Sequence, residues 1–408
     1  MTISDMEVWP VAHREPPLRN AWGAHSELAA RTIVRLIDRD GTVGVGETYG
    51  DPDVINRLER VIPTVEGMNP YAHRPIRLQL QDEIVYGAIE TALFDLLGRK
   101  HGAPVHMLLG GAIRSVIPYS AYLFFKFADS DPENAAIAPG ATETPEEMVT
   151  QAESFVNRHG FEVLKLKAGV FDPETDIATV EALAERFGPD YPIRIDPNGA
   201  WSVERSIAIA KRLRRIDATI QFLEDPAPTM HAHSRLKRHT DYPIATNMFV
   251  TDRAGIAQSM EPPAVDIILS DHHYWGGLTG MTELDATAAA LDLGLGMHSN
   301  SHLGVSMAAM THVAATMPTL RYACDTHYPW MADDVIRDGP LPFDQGSMPV
   351  PDDPGLGIRI DDDALDRMNA RYEASDTLGY STVDSMASAY ADAMAERDDN
   401  WYPHKPRW

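Results

Sequence analysis

Acidic, amide and basic side chains recur at one point of a repeating pattern in the middle of this sequence. Lys165 and Lys167, Asp196 and Asn198, Glu224 and Asp225, Asn247, Asp271, His298, and finally Asp325 and His327 each stand at the end of a short apolar run. From Lys167 to Asp325 the successive steps are 29, 28, 23, 24, 27 and 27 residues, the length of one strand, loop and helix. Asp196, Glu224 and Asn247 end three successive runs. Three oxygen donors converging on one point suit a hard cation such as Mg2+, with Mn2+ as the alternative. Any one of them could instead cap a helix, but capping does not explain all three in register. Lys165 and Lys167 lie two apart, so on a strand they face the same way. Buried together they need anions nearby, and each lowers the pKa of the other, which would make a usable base. Asp271 and His298 end adjacent runs, where a carboxylate can orient an imidazole as general base or acid. His302, His312 and the group His231, His233 and His239 fall on helix or loop patterns and read as structural.

The elements that must position these groups follow from the pattern. Eight runs of strand character are VIPYSAYLFF, FEVLKLKAG, YPIRIDPN, IQFLEDP, PIATNM, VDIILSD, LGLGMHS and LRYACDT. Most hold 4 to 7 β-branched or apolar residues, as parallel strands buried on both faces require. Between them lie amphipathic stretches such as PEEMVTQAESFVNRHG and SVERSIAIAKRLRRID, and Gly160 and Gly188 are natural helix ends. Strands alternating with helices imply right-handed parallel crossovers, and this many imply closure into a (βα)7-8 barrel of the TIM type, with chemistry at the C-terminal strand ends. Residues 1–115 read differently. A β-hairpin turning at Asp40-Gly41, followed by helices in DVINRLERVIPTVEG and EIVYGAIETALFDLLGRKHG, makes an α+β capping domain. The barrel takes 116–328, with a polar loop at 129–143. The tail 329–408, with a helix in DALDRMNARYEA, is expected to return to the cap.

Composition narrows the function classes. At 408 residues, 44% hydrophobic and 23% charged, the chain has the make-up of a globular protein with room for a barrel and a second module. Lys and Arg number 35 against 60 Asp and Glu, a net charge of −25. That field repels phosphates, so nucleic acid is excluded as a partner, and an acidic substrate needs cations gathered at the site. No apolar run approaches the ~20 residues of a membrane span. The N-terminus lacks a secretory pattern, and the single cysteine, Cys324, precludes an internal disulfide; a cytoplasmic protein is expected.

The motifs LKLKAGV, DPNGAW, FLEDP, ATNM, MHSNSH and DTH together resemble the enolase superfamily, and within it the glucarate dehydratase group, over nearly the whole chain. Asn247 as third ligand is characteristic of that group. The resemblance implies that Asp196, Glu224 and Asn247 bind Mg2+, that Lys167 is one base, and that His298, oriented by Asp271, is the other. It implies substrate contacts from Lys165, Asn198, Asn300 and His327. The stretches GAH at 23–25 and YLFF at 122–125 add His25, Tyr122 and Phe124. The activity implied is a dehydration: Mg2+ and Lys165 stabilise the charge formed when the proton next to a carboxylate is removed, the β-hydroxyl leaves as water, and the enol becomes a keto-deoxy acid. The expected substrate is a diacid sugar, with galactarate, a mono-acid sugar, or an epimerase on the same scaffold as alternatives. A homo-oligomer is expected. This sequence departs from the group in a shorter cap stretch between Tyr71 and Ile84, and in Ala168, Ser301 and Gly304. A hydrolase on the same barrel would need a His-x-His pair in the first strand, which YSAYLFF lacks.

Overall fold

In a computed structural model of the chain, residues 1–129, 137–375, 378 and 408 are described; part of the expected 129–143 loop and most of the tail beyond 375 lie outside them. Seven parallel strands form the barrel wall: β7 (Ala121–Lys126), β8 (Leu164–Lys167), β9 (Ile193–Asp196), β10 (Ile220–Glu224), β11 (Ile244–Thr246), β12 (Ile267–Ser270) and β13 (Gly294–Met297), adjacent in that order. Pairings such as Phe124 with Lys167 and Lys167 with Asp196 keep the C-terminal strand ends level. The eighth run, LRYACDT, forms no strand. It closes the ring through single bridges, Leu320 to Leu295 and Cys324 to Tyr119. Asp325 donates its backbone N–H to Met297 O and Ser120 donates to Cys324 O. Arg321 is exposed and Tyr322 half-buried, so this stave starts outside the core.

Helices α5 (Pro145–His159), α6 (Pro173–Phe187), α7 (Val203–Leu213), α8 (Met230–Lys237), α9 (Arg253–Met260), α10 (Gly277–Ala290) and α11 (Gly304–Ala314) follow the strands in turn. Capping sets their ends. Thr144 and Glu147 form a reciprocal capping box on α5, which stops at Gly160 with φ 72°.

Before the barrel, β1 (Ile3–Arg14), β4 (Leu28–Asp38) and β5 (Val43–Tyr49) form an antiparallel sheet in the order β1-β4-β5. Helices α1 (Pro52–Val65), α2 (His73–Leu80) and α3 (Glu83–His101) accompany it, with α4 (Val105–Leu108) leading to the barrel. Gly44 and Gly46 of β5 let α3 press directly on the sheet: a Cβ at either would stand 2.2 Å or 2.1 Å from the carbonyl oxygens of Ala92 or Ala88.

This N-terminal unit is sewn to the barrel at several places. Strands β2 (Leu18–Asn20) and β3 (Gly23–Ala24) extend the barrel sheet, β2 pairing antiparallel with β7. Glu47 of β5 accepts N–H bonds from Leu303 (2.9 Å) and Ser306 (2.8 Å) at the start of α11. Glu90 of α3 accepts from Thr279 N at the start of α10 (3.0 Å). Both are carboxylates at positive helix ends.

Beyond the barrel, β14 (Ser347–Pro349) pairs with β6 (Val116–Pro118). Helix α12 (Asp362–Glu373) hydrogen-bonds back to β1 through Asn369 to Pro10 O (2.7 Å) and Arg371 to Ala12 O (3.0 Å). The final residue, Trp408, donates its N–H to Ala200 O and its indole N–H to Gly169 O, on the loops after β9 and β8.

Candidate active site

Strand register brings the sequence-predicted groups to one end of the barrel. A cavity of about 620 Å3 opens between that end and the N-terminal unit. His25, Tyr122, Phe124, Lys167, Asn198, Asn247, His298, Asn300 and His327 all line it. Lys165, Asp196, Glu224 and Asp271 lie fully buried and do not line the cavity. The loops that carry these side chains are held in demanding conformations. Asn198 (φ 47°) and Asp225 (φ 38°) occupy the left-handed region just past their strands, a cost that functional sites tolerate. Asn198 donates its N–H to Asp196 Oδ1 (3.0 Å). Asp225 Oδ2 accepts the N–H groups of Asn247 (3.0 Å) and Met248 (3.3 Å), which sets the turn that presents Asn247.

Lys165 is threaded among carboxylates. Its Nζ lies 2.8 Å from Glu224 Oε1, 2.6 Å from Asp325 Oδ2 and 3.6 Å from Asp196 Oδ2. Lys167 Nζ donates to Asp196 Oδ2 (2.6 Å) and Tyr122 OH (2.8 Å). The expectation that the two lysines depress one another is corrected here. Burial and the charge of Lys165 do push Lys167 down, but Asp196 outweighs them, and its pKa lies above the usual lysine range. Lys165 is raised further, as Asp325 and Glu224 override its burial. Opposite charges at hydrogen-bond distance in a dry site dominate a like charge farther off.

The residues fit a hard divalent cation. Glu224 is fully buried, with Lys165 Nζ 2.7 Å from its Oε2, and burial together with the charge of Asp196 still pushes the Glu224 carboxyl up. The carboxamide of Asn247 has one terminal atom 2.8 Å from Asp225 Oδ2 and 3.2 Å from Glu224 Oε1, and the other 3.2 Å from His298 Nε2. With nitrogen toward the carboxylates it donates to both; with oxygen there, as ligation requires, the facing oxygens need a cation between them. Two carboxylates and an amide are an Mg2+ or Mn2+ donor set. A cation that took up the carboxylate charge would also release the lysines from it.

The Asp271 environment differs from the expected pair. His273 Nδ1 donates to Asp271 Oδ1 at 2.5 Å, and His273 N–H reaches the same oxygen at 2.9 Å. The other oxygen, Oδ2, has His302 Nε2 at 3.3 Å and His298 Nδ1 at 3.6 Å. Asp271 is therefore close to His298, but its short bond goes to a histidine that sequence reasoning did not select. His302, read as structural, belongs to the same cluster. Burial raises the Asp271 carboxyl and the imidazoles lower it further, so it stays an anion well below the usual range. Arg31 ties this cluster to the N-terminal unit. It donates to Glu47 (2.8 Å), to Asn300 Oδ1 (3.2 Å) and toward His273 Nε2 (3.0 Å). A signal for His273 was present in the doublet after Asp271, DHH. Glu15, Asn20 and Arg31, which also line the cavity, come from segments with no chemical pattern of their own.

Comparison with known proteins agrees with this geometry. Residues 147–364 match the family model described as enolase C-terminal domain-like. A relative from Streptomyces coelicolor named "Probable glucarate dehydratase" is 41% identical over 100% of this chain and 99% of its own length. An arabinonate dehydratase of Saccharolobus solfataricus is 25% identical over 81% of this chain and 88% of its own. Among solved structures, an enolase from Thermobispora bispora complexed with magnesium and formate superposes with a TM-score of 0.91 at 37% identity, covering 100% of both chains. The chain belongs to the enolase superfamily and, within it, to the glucarate dehydratase group.

Proposed function

We propose that the protein is an Mg2+-dependent hydro-lyase that dehydrates an acid sugar, with glucarate or a close hexarate isomer as substrate. The observation that carries this reading is the placement of Lys167 on β8 and His298 after β13, five strands apart in the ring, with Asp196, Glu224 and Asn247 on the strands between. Crystal structures of similar enolases that hold magnesium support the choice of metal. In this reading residues 1–115 form a cap, 116–328 the catalytic barrel, and 329–408 a tail that returns to the cap.

Asp196, Glu224 and Asn247 would hold Mg2+, which would supply positive charge to the substrate carboxylate and so acidify the adjacent C–H. The chain's residues do the rest. Lys165, directly beneath the ligands, adds an ammonium to the charge that develops on the carboxylate. Lys167 Nζ or His298 Nε2 takes the α-proton, depending on the face from which it is presented. His298, cationic from the start where Lys167 is the base or made so by the α-proton where His298 is, gives a proton to the β-hydroxyl, which leaves as water, and the enol tautomerises to a keto-deoxy acid. Asp271 and the His273 bond behind it hold the imidazolium.

A mono-acid substrate is the second reading. Among the described residues the cavity cations besides Lys167 are Arg31 and Arg57. Arg31 is engaged by Glu47, and Arg57 by Asp53 (3.0 Å) and Asp82 (2.6 Å). A second carboxylate has no unengaged cation on that wall. The relative named as an arabinonate dehydratase acts, by its name, on such a mono-acid. The test is a panel of aldarates and aldonates with Mg2+, read as keto-acid formation. Turnover of hexarates supports the diacid reading, turnover of aldonates alone replaces it with the mono-acid one, and no keto acid from any of them rejects both.

A further inference from the structure

The cavity wall beside Lys167 holds a group that the proton chemistry leaves unused. Glu15, which follows β1 and is 1% exposed, bonds two imidazoles at once. His25 Nδ1 lies 3.1 Å from its Oε2 and His327 Nδ1 3.1 Å from its Oε1, with the Ser301 hydroxyl 3.0 Å from both oxygens. The two rings lie nearly parallel, 9° apart with centroids at 5.8 Å. Tyr122 stands edge-on to His327 at 4.8 Å, and its hydroxyl touches Lys167. The arrangement is thus part of the wall on the lysine side of the proposed reaction.

Glu15, His25 and His327 could by position surround a cation, but the hydrogen bonding around them assigns the protons differently. Asn20 Oδ1 accepts from Trp22 N (2.8 Å) and Gly23 N (3.1 Å), so its amide nitrogen is the atom 3.3 Å from His25 Nε2. An amide nitrogen only donates. His25 Nε2 is therefore the acceptor, its proton sits on Nδ1, and Nδ1 donates to Glu15. His327 meets the other oxygen of the same carboxylate with the same atom, and a carboxylate oxygen accepts. Ring nitrogens that donate to Glu15 have no lone pair to give a metal.

We infer that Glu15 is a positioning residue that fixes His25 and His327 as their Nδ1–H forms, so that His327 Nε2 faces the substrate as a hydrogen-bond acceptor for a sugar hydroxyl. This rests on the acid-sugar reading above. His327 Nε2 has no hydrogen bond among the described residues, and the ring lines the cavity. Burial holds His327 neutral, with its pKa lowered to about 4. Burial alone would raise Glu15, but the bonds from both imidazoles keep it an anion. A hydroxyl donates to this wall directly. A carboxylate in the same place would meet a lone pair with a buried anion behind it. The wall therefore reads the hydroxyl pattern of the carbon chain rather than its acid ends.

Glu15→Gln is nearly isosteric and tests this. One carboxamide oxygen can serve only one imidazole, while its NH2 faces the Nδ1 of the other and forces that ring to the Nε2–H form. In 15N spectra of the metal-loaded protein, assigned with His25→Gln and His327→Gln, the wild type should show both rings as Nδ1–H and Glu15→Gln should show one of them switched. With the sugar that the wild type turns over, Glu15→Gln should raise KM by about tenfold, one lost hydrogen bond to substrate, with kcat changed less than about threefold. An Nε2–H form of either ring in the wild type would overturn the inference, and so would an unchanged KM in a variant whose His327 tautomer has switched. The wild-type spectrum needs neither a variant nor activity. If no acid sugar is a substrate, the proposed function fails separately from the tautomer assignment.

Discussion

Asp271 Oδ1 receives the Nδ1–H of His273 at 2.5 Å, while His298 stands 3.6 Å from the other oxygen of the same carboxylate. His273 is itself fixed from behind, with Ser306 Oγ 2.9 Å and Arg31 NH2 3.0 Å from its Nε2. The carboxylate that serves His298 is thus aimed by a second, buried imidazole. His273→Phe removes that aim without touching the cavity. It should lower kcat at least about tenfold, as loss of a supporting partner of a catalytic base does, while the concentration of Mg2+ giving half-maximal activity stays within about twofold of wild type. Unchanged kcat would show that Asp271 needs no such support.

Metal binding is expected to be readable without substrate. A ligand that binds only the folded state adds RT ln(1 + [L]/Kd), about 2.7 kcal/mol at a hundredfold excess over Kd. Thermal melts in rising Mg2+ should therefore move upward for the wild type. Glu224→Gln, which keeps the shape but removes a ligand charge, should abolish the shift. Equal Mg2+ shifts in both proteins would place the cation elsewhere.

Glu47 is one of the anions that join the N-terminal unit to the barrel, facing Arg31 and the first N–H groups of α11. Burial raises its carboxyl, and Arg31 with His302 and His273 lowers it below its ordinary value. Replacing it by Ala leaves the Arg31 guanidinium, 2% exposed, without its counter-ion. Denaturant melts should show a loss of about 3–5 kcal/mol, the scale for one partner removed from a buried pair. A loss below about 1 kcal/mol would mean that the helix N-terminus and Arg31 are satisfied without it.

His233 gives a prediction for pH. It is fully buried, neither ring nitrogen has a side-chain partner, and burial lowers its pKa to about 4. The unfolded chain binds the proton near the ordinary value of about 6.5. Between those values the unfolded state holds more protons than the folded one, so stability falls as pH drops from about 6.5 toward 4. The contribution of His233 is intact above that window and is lost through it, amounting to about 3 kcal/mol at its lower end. His233→Leu should flatten that part of the stability–pH curve. Parallel curves for variant and wild type would show that His233 accepts its proton without cost.

What could be read from the sequence follows from periodicity. Lys167, Asp196, Glu224, Asn247, Asp271 and His298 stand at the ends of strands that each begin one βα unit, so their spacing carried their placement. Residues that reach the site from irregular backbone carry no such signal. Glu15 and Asn20 sit in short segments around β2, whose pairing with β7 is a long-range event. Arg31 looks like any polar residue on an alternating strand until the barrel closes over it. The eighth stave, LRYACDT, has strand-like composition, yet single bridges replace a ladder there. Composition reports burial on average, not whether a segment's hydrogen bonds run in register. The depressed lysine expected at Lys167 failed for a similar reason: sequence shows the neighbouring cation two residues away, but not Asp196 at 2.6 Å.

In the proposed mechanism Lys167 and His298 handle protons on opposite faces of one α-carbon, and His298 also delivers the proton to the departing hydroxyl. The most direct measurement is NMR in D2O of the Mg2+-loaded His298→Gln and Lys167→Met proteins with both α-epimers of the sugar that the wild type dehydrates. His298→Gln should form essentially no keto-deoxy acid, yet exchange the α-proton for deuterium in the epimer that presents it to Lys167. Lys167→Met should retain reaction only with the other epimer. Dehydration of both epimers by His298→Gln at close to the wild-type rate would show that His298 is not the acid.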